Sequence, residues 1–172
     1  SFRRALRLND RNIVARNGIA MVSSDEEERV AQLEAAIAYE PTTELLQNYG
    51  VLMFQAGNYD KAVDEASKAI ELDSANAHAY YTRGYAYQQQ GRLDMALVEY
   101  RRALDLRPNW DRVLNNMALV YYYKSEFGYS IDYYKQAVAV NSSEPTFHYN
   151  LALAYEALAS RLKSRAARNP GS

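Results

Sequence analysis

The chain of 172 residues contains no cysteine, and this absence removes several kinds of chemistry. There can be no disulfide framework, no thiol nucleophile and no cysteine-ligated zinc or iron–sulfur centre. The cellular compartment stays open, because cysteine-free chains occur in reducing and oxidising compartments alike. The formal net charge is only −1, so no overall basic field favours nucleic acid or an anionic membrane. No apolar run approaches the roughly 18 residues of a membrane span, so we expect no direct membrane insertion.

Catalytic groups are equally scarce. The two histidines, His78 and His148, lie far apart, and neither has a second ligand at a zinc-binding spacing. The sequence contains no phosphate-binding glycine loop, no dinucleotide fingerprint and no Ser–His–acid arrangement. We therefore predict that the protein is not an enzyme and has no catalytic residues, no metal site and no cofactor.

What the sequence does contain is a repeat. Small residues recur at intervals of 34 positions: Gly50, Gly84, Ala118 and Ala152. Three positions after them lie Met53, Tyr87, Tyr121 and Tyr155, and a second small series comprises Ala62, Ala96 and Ser130. Each interval carries two stretches of helical periodicity with a short turn between them, which predicts pairs of antiparallel helices. Gly57 and Gly91 in two of these turns are expected to adopt positive φ and end the first helix.

The segment 77–110 shows the motif most clearly. It contains Y-x2-R-G-x2-Y starting at Tyr80, then A-x3-Y starting at Ala96, and finally Pro108. This resembles the tetratricopeptide repeat family, whose pattern is W-x2-L-G-x2-Y, then A-x3-F and P, with a period of 34 residues. The resemblance implies an all-α fold, a right-handed superhelical array of antiparallel helix hairpins with a C-terminal capping helix.

The repeat predicts a single array over residues 1–172. In chain order its segments are the end of a preceding second helix (1–10), a short degenerate repeat (11–42), three repeats (43–76, 77–110 and 111–144) and a capping helix (145–168). Leu151, Leu158 and Leu162 of the capping helix are expected to face inward. Six tyrosines are assigned to the core: Tyr80, Tyr87, Tyr100, Tyr121, Tyr134 and Tyr155.

In this family the first helices line a concave face that receives an extended peptide or a helix of a partner. Two positions before the small residues lie Asn48, Thr82, Asn116 and Asn150. An asparagine amide can bond a peptide backbone as donor and acceptor, and some arrays of this family bind peptides in this way. The alternative is that these asparagines only support neighbouring helices, and the sequence does not decide between the two.

The other candidates for this groove are aromatic or neutral, except for one arginine: Tyr81, Tyr85, Arg112, Asn115, Tyr122 and Tyr149. Tyrosine offers a large contact area and a hydroxyl at a modest entropic cost. Family members that bind the acidic tails of chaperones do so through a carboxylate clamp of lysine, asparagine and arginine. Only Arg112 fits that clamp in charge, so we expect a different partner.

These observations predict a protein–protein interaction scaffold that binds a peptide or a segment of a partner protein in the groove. Two alternatives remain. The array could be an assembly module that forms a homo-oligomer through its edges, or it could be the targeting arm of a longer protein. No nucleic-acid partner is expected, because the basic residues near the C-terminus are interpreted as solvated cover of the capping helix.

Overall fold

The computed structural model describes residues 2–168. These residues form ten α-helices and no strand, which confirms the all-α class. In chain order the helices are α1 (Phe2–Leu8), α2 (Ile13–Val22), α3 (Glu26–Tyr39), α4 (Thr43–Gln55), α5 (Tyr59–Leu72), α6 (Ala77–Gln89), α7 (Leu93–Leu106), α8 (Asp111–Tyr123), α9 (Phe127–Val140) and α10 (Pro145–Arg168).

Helices α2 and α3, α4 and α5, and α8 and α9 form contacting pairs joined by short turns, and another short turn connects α6 to α7 along the chain. Gly57 and Gly91 adopt φ of 76° and 73° in two of these turns, which confirms the prediction for both. Glycine enters this region without the steric cost that a Cβ imposes. Ser125 adopts a φ of 59° in the turn between α8 and α9, so the same turn geometry is kept there without glycine.

The chain forms two compact units, residues 1–90 and residues 91–172. The first unit contains α1 to α6, and the second contains α7 to α10. The boundary therefore falls inside the segment predicted as the repeat 77–110. Within residues 2–168, none of the helices combines the length and the apolar character needed to cross a membrane.

The core of the first unit is built from α2 to α6. One buried cluster comprises Ala20, Leu33, Ala36, Leu45, Tyr49, Leu52, Met53, Ala62 and Ala86. A second joins Leu46, Ala69 and Ala79. Gly50 of α4 is buried against α5, where an added Cβ would lie 3.7 Å from the Ala62 carbonyl oxygen and from Glu65 Cβ. This close approach explains the small residue, because a long side chain there would push the two helices apart. Gly84, one repeat later, is also buried.

The core of the second unit contains two clusters. One joins Ala118, Ile131, Tyr134 and Ala154, and Leu151 and Leu158 pack against it as predicted. The other joins Leu114, Ala137 and Phe147. Helix α10 contributes to both clusters, so it covers the apolar face of the pair formed by α8 and α9.

The predictions that Leu162, Tyr155 and Tyr80 belong to the core are wrong. Leu162 is 56% exposed and Tyr155 is 46% exposed, because α10 packs against α8 and α9 through one face and no further helix of the described chain covers the other. Ala152, in the small position of this helix, is exposed for the same reason. Tyr80 is only partly buried. The other four tyrosines assigned to the core are buried: Tyr87, Tyr100, Tyr121 and Tyr134.

Candidate functional site

The first helices of the first unit lie side by side. Helices α2 and α4 are joined by a bond between Asn17 and Asn48, and α4 and α6 are joined by stacked rings of Phe54 and Tyr85. We call the face that carries these contacts the first-helix surface. It is the face on which the sequence analysis placed the groove.

Asparagines on this surface bond to one another. Asn48 Nδ2 donates to Asn17 Oδ1 at 2.9 Å, and Asn17 Nδ2 donates to Glu44 Oε1 at 2.8 Å. Asn48 therefore supports a neighbouring helix, which was one of the two interpretations of the asparagine series. Each amide carries two donors and two acceptor lone pairs, so this pairing does not exhaust its capacity to bond a peptide.

The second unit repeats this arrangement between α8 and α10. Asn150 Nδ2 donates to Asn115 Oδ1 at 3.1 Å, and Asn115 Nδ2 donates to Asn116 Oδ1 at 3.4 Å. The bonded asparagines occupy equivalent positions in both units. The acceptor lies three positions before a small residue, Ala20 or Ala118, and the donor lies two positions before the next small residue, Gly50 or Ala152. Asn17 was missed from the sequence, although its place three positions before Ala20 matches that of Asn115 before Ala118.

Four aromatic rings form a continuous row in the first unit. The ring centroids of Tyr59 and Phe54 lie 5.3 Å apart, those of Phe54 and Tyr85 lie 4.4 Å apart, and those of Tyr85 and Tyr81 lie 5.9 Å apart. All four side chains are partly exposed. From the sequence, Phe54 and the two tyrosines on α6 are expected on this face because they lie one or four positions after, or three positions before, the small residues. Tyr59 was missed, although its position across the α4–α5 turn from Phe54 could have indicated the contact.

In the second unit a comparable row contains three rings, Tyr123, Tyr122 and Phe127, and the centroids of Tyr123 and Tyr122 lie 6.4 Å apart. Tyr122 and Phe127 pack edge to face with centroids 5.5 Å apart. The Arg161 guanidinium of α10 lies 5.9 Å from the Phe127 ring centroid and donates to the Ser125 carbonyl oxygen at 2.6 Å. Arg161 therefore ties the last helix to the turn between α8 and α9.

The remaining predicted site residues differ in accessibility. Tyr149 is 65% exposed and Arg112 is exposed, so both can be reached by a partner. Thr82 is only 7% exposed and offers almost no surface. Burial of Thr82 removes one of the four positions of the asparagine series from the accessible face.

A polar network joins α3, α4 and α5 of the first unit. The Tyr49 hydroxyl donates to Glu34 Oε1, and Lys61 Nζ donates to the same oxygen at 3.0 Å. Both bonds hold the pKa of Glu34 below its ordinary value, with the tyrosine bond as the larger cause. Burial raises the pKa of Tyr49, and the glutamate bond raises it further.

A pocket of about 430 Å³ opens between α2 and the start of α4. Its lining is Ile13, Val14, Asn17, Thr42, Thr43, Glu44 and Leu45. Aliphatic side chains and polar groups thus share one opening beside the asparagine pair. Among residues 2–168 no three acidic or histidine side chains are grouped so that they could hold a metal ion.

The pairs of helices and the small residues at their contacts define a helical repeat protein. A family model described as TPR repeat matches residues 50–91 and 84–125, and one described as tetratricopeptide repeat matches residues 115–167. The chain belongs to the tetratricopeptide repeat family. Members of this family and proteins of this fold are, in general, non-enzymatic scaffolds for protein interactions.

Two sequence relatives cover different shares of the chain. BBSome complex member BBS4 of Bos taurus is 27% identical over 158 residues, which span 88% of this chain and 30% of BBS4. The photosystem I assembly protein Ycf3 of Prochlorococcus marinus strain NATL2A is 33% identical over 103 residues, 57% of this chain and 60% of Ycf3. The chain thus matches less than two thirds of the length of either relative.

Two solved structures share the fold. MamA has a TM-score of 0.76 and 20% identity, and the match covers 84% of this chain and 87% of MamA. YrrB, a TPR protein with an unusual peptide-binding site, has a TM-score of 0.74 and 18% identity, with coverage of 86% and 78%. At these identities the similarity shows the fold.

Proposed function

We propose that this scaffold binds an extended peptide segment of a partner protein on the first-helix surface. The observation that carries the proposal is the row of four partly exposed rings, Tyr59, Phe54, Tyr85 and Tyr81, beside the Asn17–Asn48 pair. Aromatic rings give a large contact area at a low cost in side-chain entropy. The neighbouring amides can bond a peptide backbone whatever its side chains are.

The ring row also favours one chemical class of peptide. Its members are neutral, so they offer no counter-charge for the carboxylates of an acidic tail. Apolar and aromatic peptide side chains bury their surface against such rings, at about 25 cal/mol per Å² of apolar area. The proposed ligand is therefore a mainly apolar segment that lies along α4 and α6.

The second unit offers a matching set of groups on α8 and α10. Asn115 and Asn150 form the amide pair, Tyr122 supplies a partly exposed ring and Tyr149 an exposed one. Arg112 adds a positive charge to this set. The similarity in fold to YrrB, whose structure is described as containing a peptide-binding site, supports this kind of use for the repeat face.

Peptide selection tests the proposal. Random peptides displayed on phage are selected on the whole chain, and the affinity of enriched peptides is measured by fluorescence anisotropy. The double variant Tyr81→Ala/Tyr85→Ala is expected to lose about tenfold or more in affinity, because aromatic anchors dominate such interfaces. Tyr39→Ala is the matched control, since Tyr39 is an exposed ring of the same unit on the second helix α3.

Two outcomes would contradict the proposal. Enriched peptides could bind the double variant as tightly as they bind the original chain, or no peptide could be enriched at all. The melting temperature of each variant is measured alongside, so that loss of binding is separated from loss of the fold.

Self-association is a second candidate function, and it is favoured by the uncovered face of α10. Ala152, Tyr155 and Leu162 on that helix are exposed although they occupy positions of small or apolar residues. A second copy that packed on this face would bury them. Light scattering over a range of concentrations measures the molar mass and tests self-association. A monomer at all concentrations would leave only the peptide-binding proposal.

A further inference from the structure

The pocket between α2 and α4 joins an apolar wall to a single carboxylate. Ile13, Val14 and Leu45 supply the apolar part, and Glu44 supplies the only charged side chain of the lining. A long side chain with an aliphatic stem and a cationic head matches this combination, because lysine and arginine pack their methylene groups on apolar surface while the charge contacts a polar group.

Glu44 is held in place by the asparagine pair. Asn48 donates to Asn17, and Asn17 donates through its own Nδ2 to Glu44 Oε1 at 2.8 Å. This relay fixes one carboxylate oxygen and leaves acceptor capacity on the other, since an ionised carboxylate offers about four lone-pair sites. A glutamate in the first turn of a helix is common for electrostatic reasons alone, but that role does not require the bond to Asn17.

The two cations nearest in sequence to the α2 side of the pocket, Arg11 and Arg16, make contacts elsewhere. Arg16 of α2 donates to the Asp10 carbonyl oxygen and to Gln32, and its guanidinium lies 5.8 Å from the Tyr39 ring centroid. Arg11 lies over the same ring. Among the ion pairs of the part of the chain that the structure describes, none joins Glu44 to a lysine or arginine.

We infer that this pocket receives a lysine or arginine side chain of the bound peptide, with the stem against Ile13 and Val14 and the head on Glu44. The inference rests on the proposed function, because it assigns one residue of the same ligand. The ring row accepts the apolar part of the segment, and the pocket adds a requirement for one basic residue. The second unit differs at the position equivalent to Glu44, where it carries Arg112.

Two synthetic peptides test this requirement without knowledge of the natural partner. The probes are acetylated, amidated pentapeptides of sequence Ala-Leu-Arg-Leu-Ala and Ala-Leu-Gln-Leu-Ala, titrated into the full chain and followed by amide chemical shifts in NMR spectra. The arginine peptide is expected to shift the amides of residues 13–17 and 42–45, with an affinity about fivefold above that of the glutamine peptide, as for an exposed charge pair. Added salt should reduce this ratio.

The variant Glu44→Gln is expected to bind both peptides equally. Glu71→Gln, at an exposed glutamate on α5 of the same unit, is the matched control and should keep the fivefold preference. Equal affinity of the two peptides for the unmodified chain, or shifts that avoid the pocket residues, would overturn the inference. Such a result would leave the proposed function standing if the phage-selected peptides still depend on Tyr81 and Tyr85.

Discussion

The two units of the molecule begin their helices in different ways. In the first unit, helices α2 to α6 each follow a side chain that accepts a bond from the helix backbone: Asn12, Asp25, Thr42, Asn58 and Asn76. In the second unit, α7, α8 and α9 follow Arg92, Trp110 and Glu126, and none of these three makes a side-chain capping bond within the described chain. Only α10 resembles the first unit, because Glu144 Oε1 accepts a bond from the Thr146 amide at 3.1 Å. A cap contributes about 0.5–2 kcal/mol, so the second unit requires other sources of stability.

Large buried rings are one such source. Tyr100 and Tyr134 of the second unit are the largest fully buried side chains among the residues described. Tyr121 stacks on Tyr133 with ring centroids 5.4 Å apart, and Arg101 donates to the Tyr121 hydroxyl at 2.9 Å. Full burial of a large apolar side chain contributes about 1.5–3 kcal/mol, which is comparable with a missing cap or larger. The second unit thus has fewer capped helix starts than the first and contains the two largest fully buried rings of the described residues.

The largest effect is expected where α4 of the first unit packs against α5. Gly50→Leu would place a branched side chain against Ala62 and Glu65 of α5, where even a Cβ lies at contact distance. Overpacking of this kind costs about 1–3 kcal/mol. Urea unfolding followed by circular dichroism should show the loss, while the fluorescence of Trp110, the single tryptophan, reports on the second unit.

Gly50→Ala is the matched control for this prediction. Its Cβ would lie 3.7 Å from the nearest atoms, which is an ordinary contact. Alanine also raises helix propensity by up to about 1 kcal/mol relative to glycine, so this variant should be as stable as the original chain or more stable. If Gly50→Leu unfolds at an unchanged urea concentration, close approach of α4 and α5 does not explain the small residue.

A smaller effect should follow from exchanging the helix starts of the two units. Asn58 and Glu126 precede α5 and α9 with similar backbone angles, φ −85° and ψ 74° against φ −89° and ψ 59°. Asn58→Ala should destabilise the first unit by about 1 kcal/mol, and Glu126→Asn should stabilise the second by a similar amount. Urea unfolding midpoints measure both changes.

The stabilisation expected for Glu126→Asn requires the introduced asparagine side chain to cap α9. Glu126→Ala is the control, because it removes the glutamate without adding a cap and also removes the ion pair with Lys124. Equal stability of Glu126→Asn and Glu126→Ala would show that capping does not distinguish the two units.

The sequence was sufficient for the repeat and for most of the core, because both follow from local side-chain size. The small residues at 34-residue intervals predicted which helices approach closely, and Gly50 lies in such a contact. Predictions failed for Tyr155 and Leu162 of α10. Their burial requires a further helix to pack on them, and a periodic pattern gives the position of a residue without showing whether a neighbour is present.

The candidate site was less predictable, because hydrogen bonds between helices depend on side-chain orientation. The series of Asn48, Asn116 and Asn150 was visible, but the pairing with Asn17 and Asn115 needed the relative position of successive first helices. Glu44 could not be selected from the repeat pattern, because the residues at the equivalent positions differ in charge: Val14, His78, Arg112 and Thr146. Its bond to Asn17 and the pocket around it appear only when α2 and α4 are placed together.

The smallest expected effect is a loss of stabilisation in acid. It should occur in the first unit and not in the second. The bonds from Tyr49 and Lys61 hold the pKa of Glu34 below its ordinary value of 4.5, so they favour the folded state above that pH. Their contribution is lost as the pH falls from about 4.5 through the lowered pKa of the folded state. The difference in urea midpoint between the original chain and Glu34→Gln should therefore shrink from neutral pH to about pH 3.

The corresponding difference for Arg101→Met in the second unit should stay constant, because an arginine–tyrosine bond contains no group that titrates in acid. A pH-independent difference for Glu34→Gln would show that its two bonds do not stabilise the first unit.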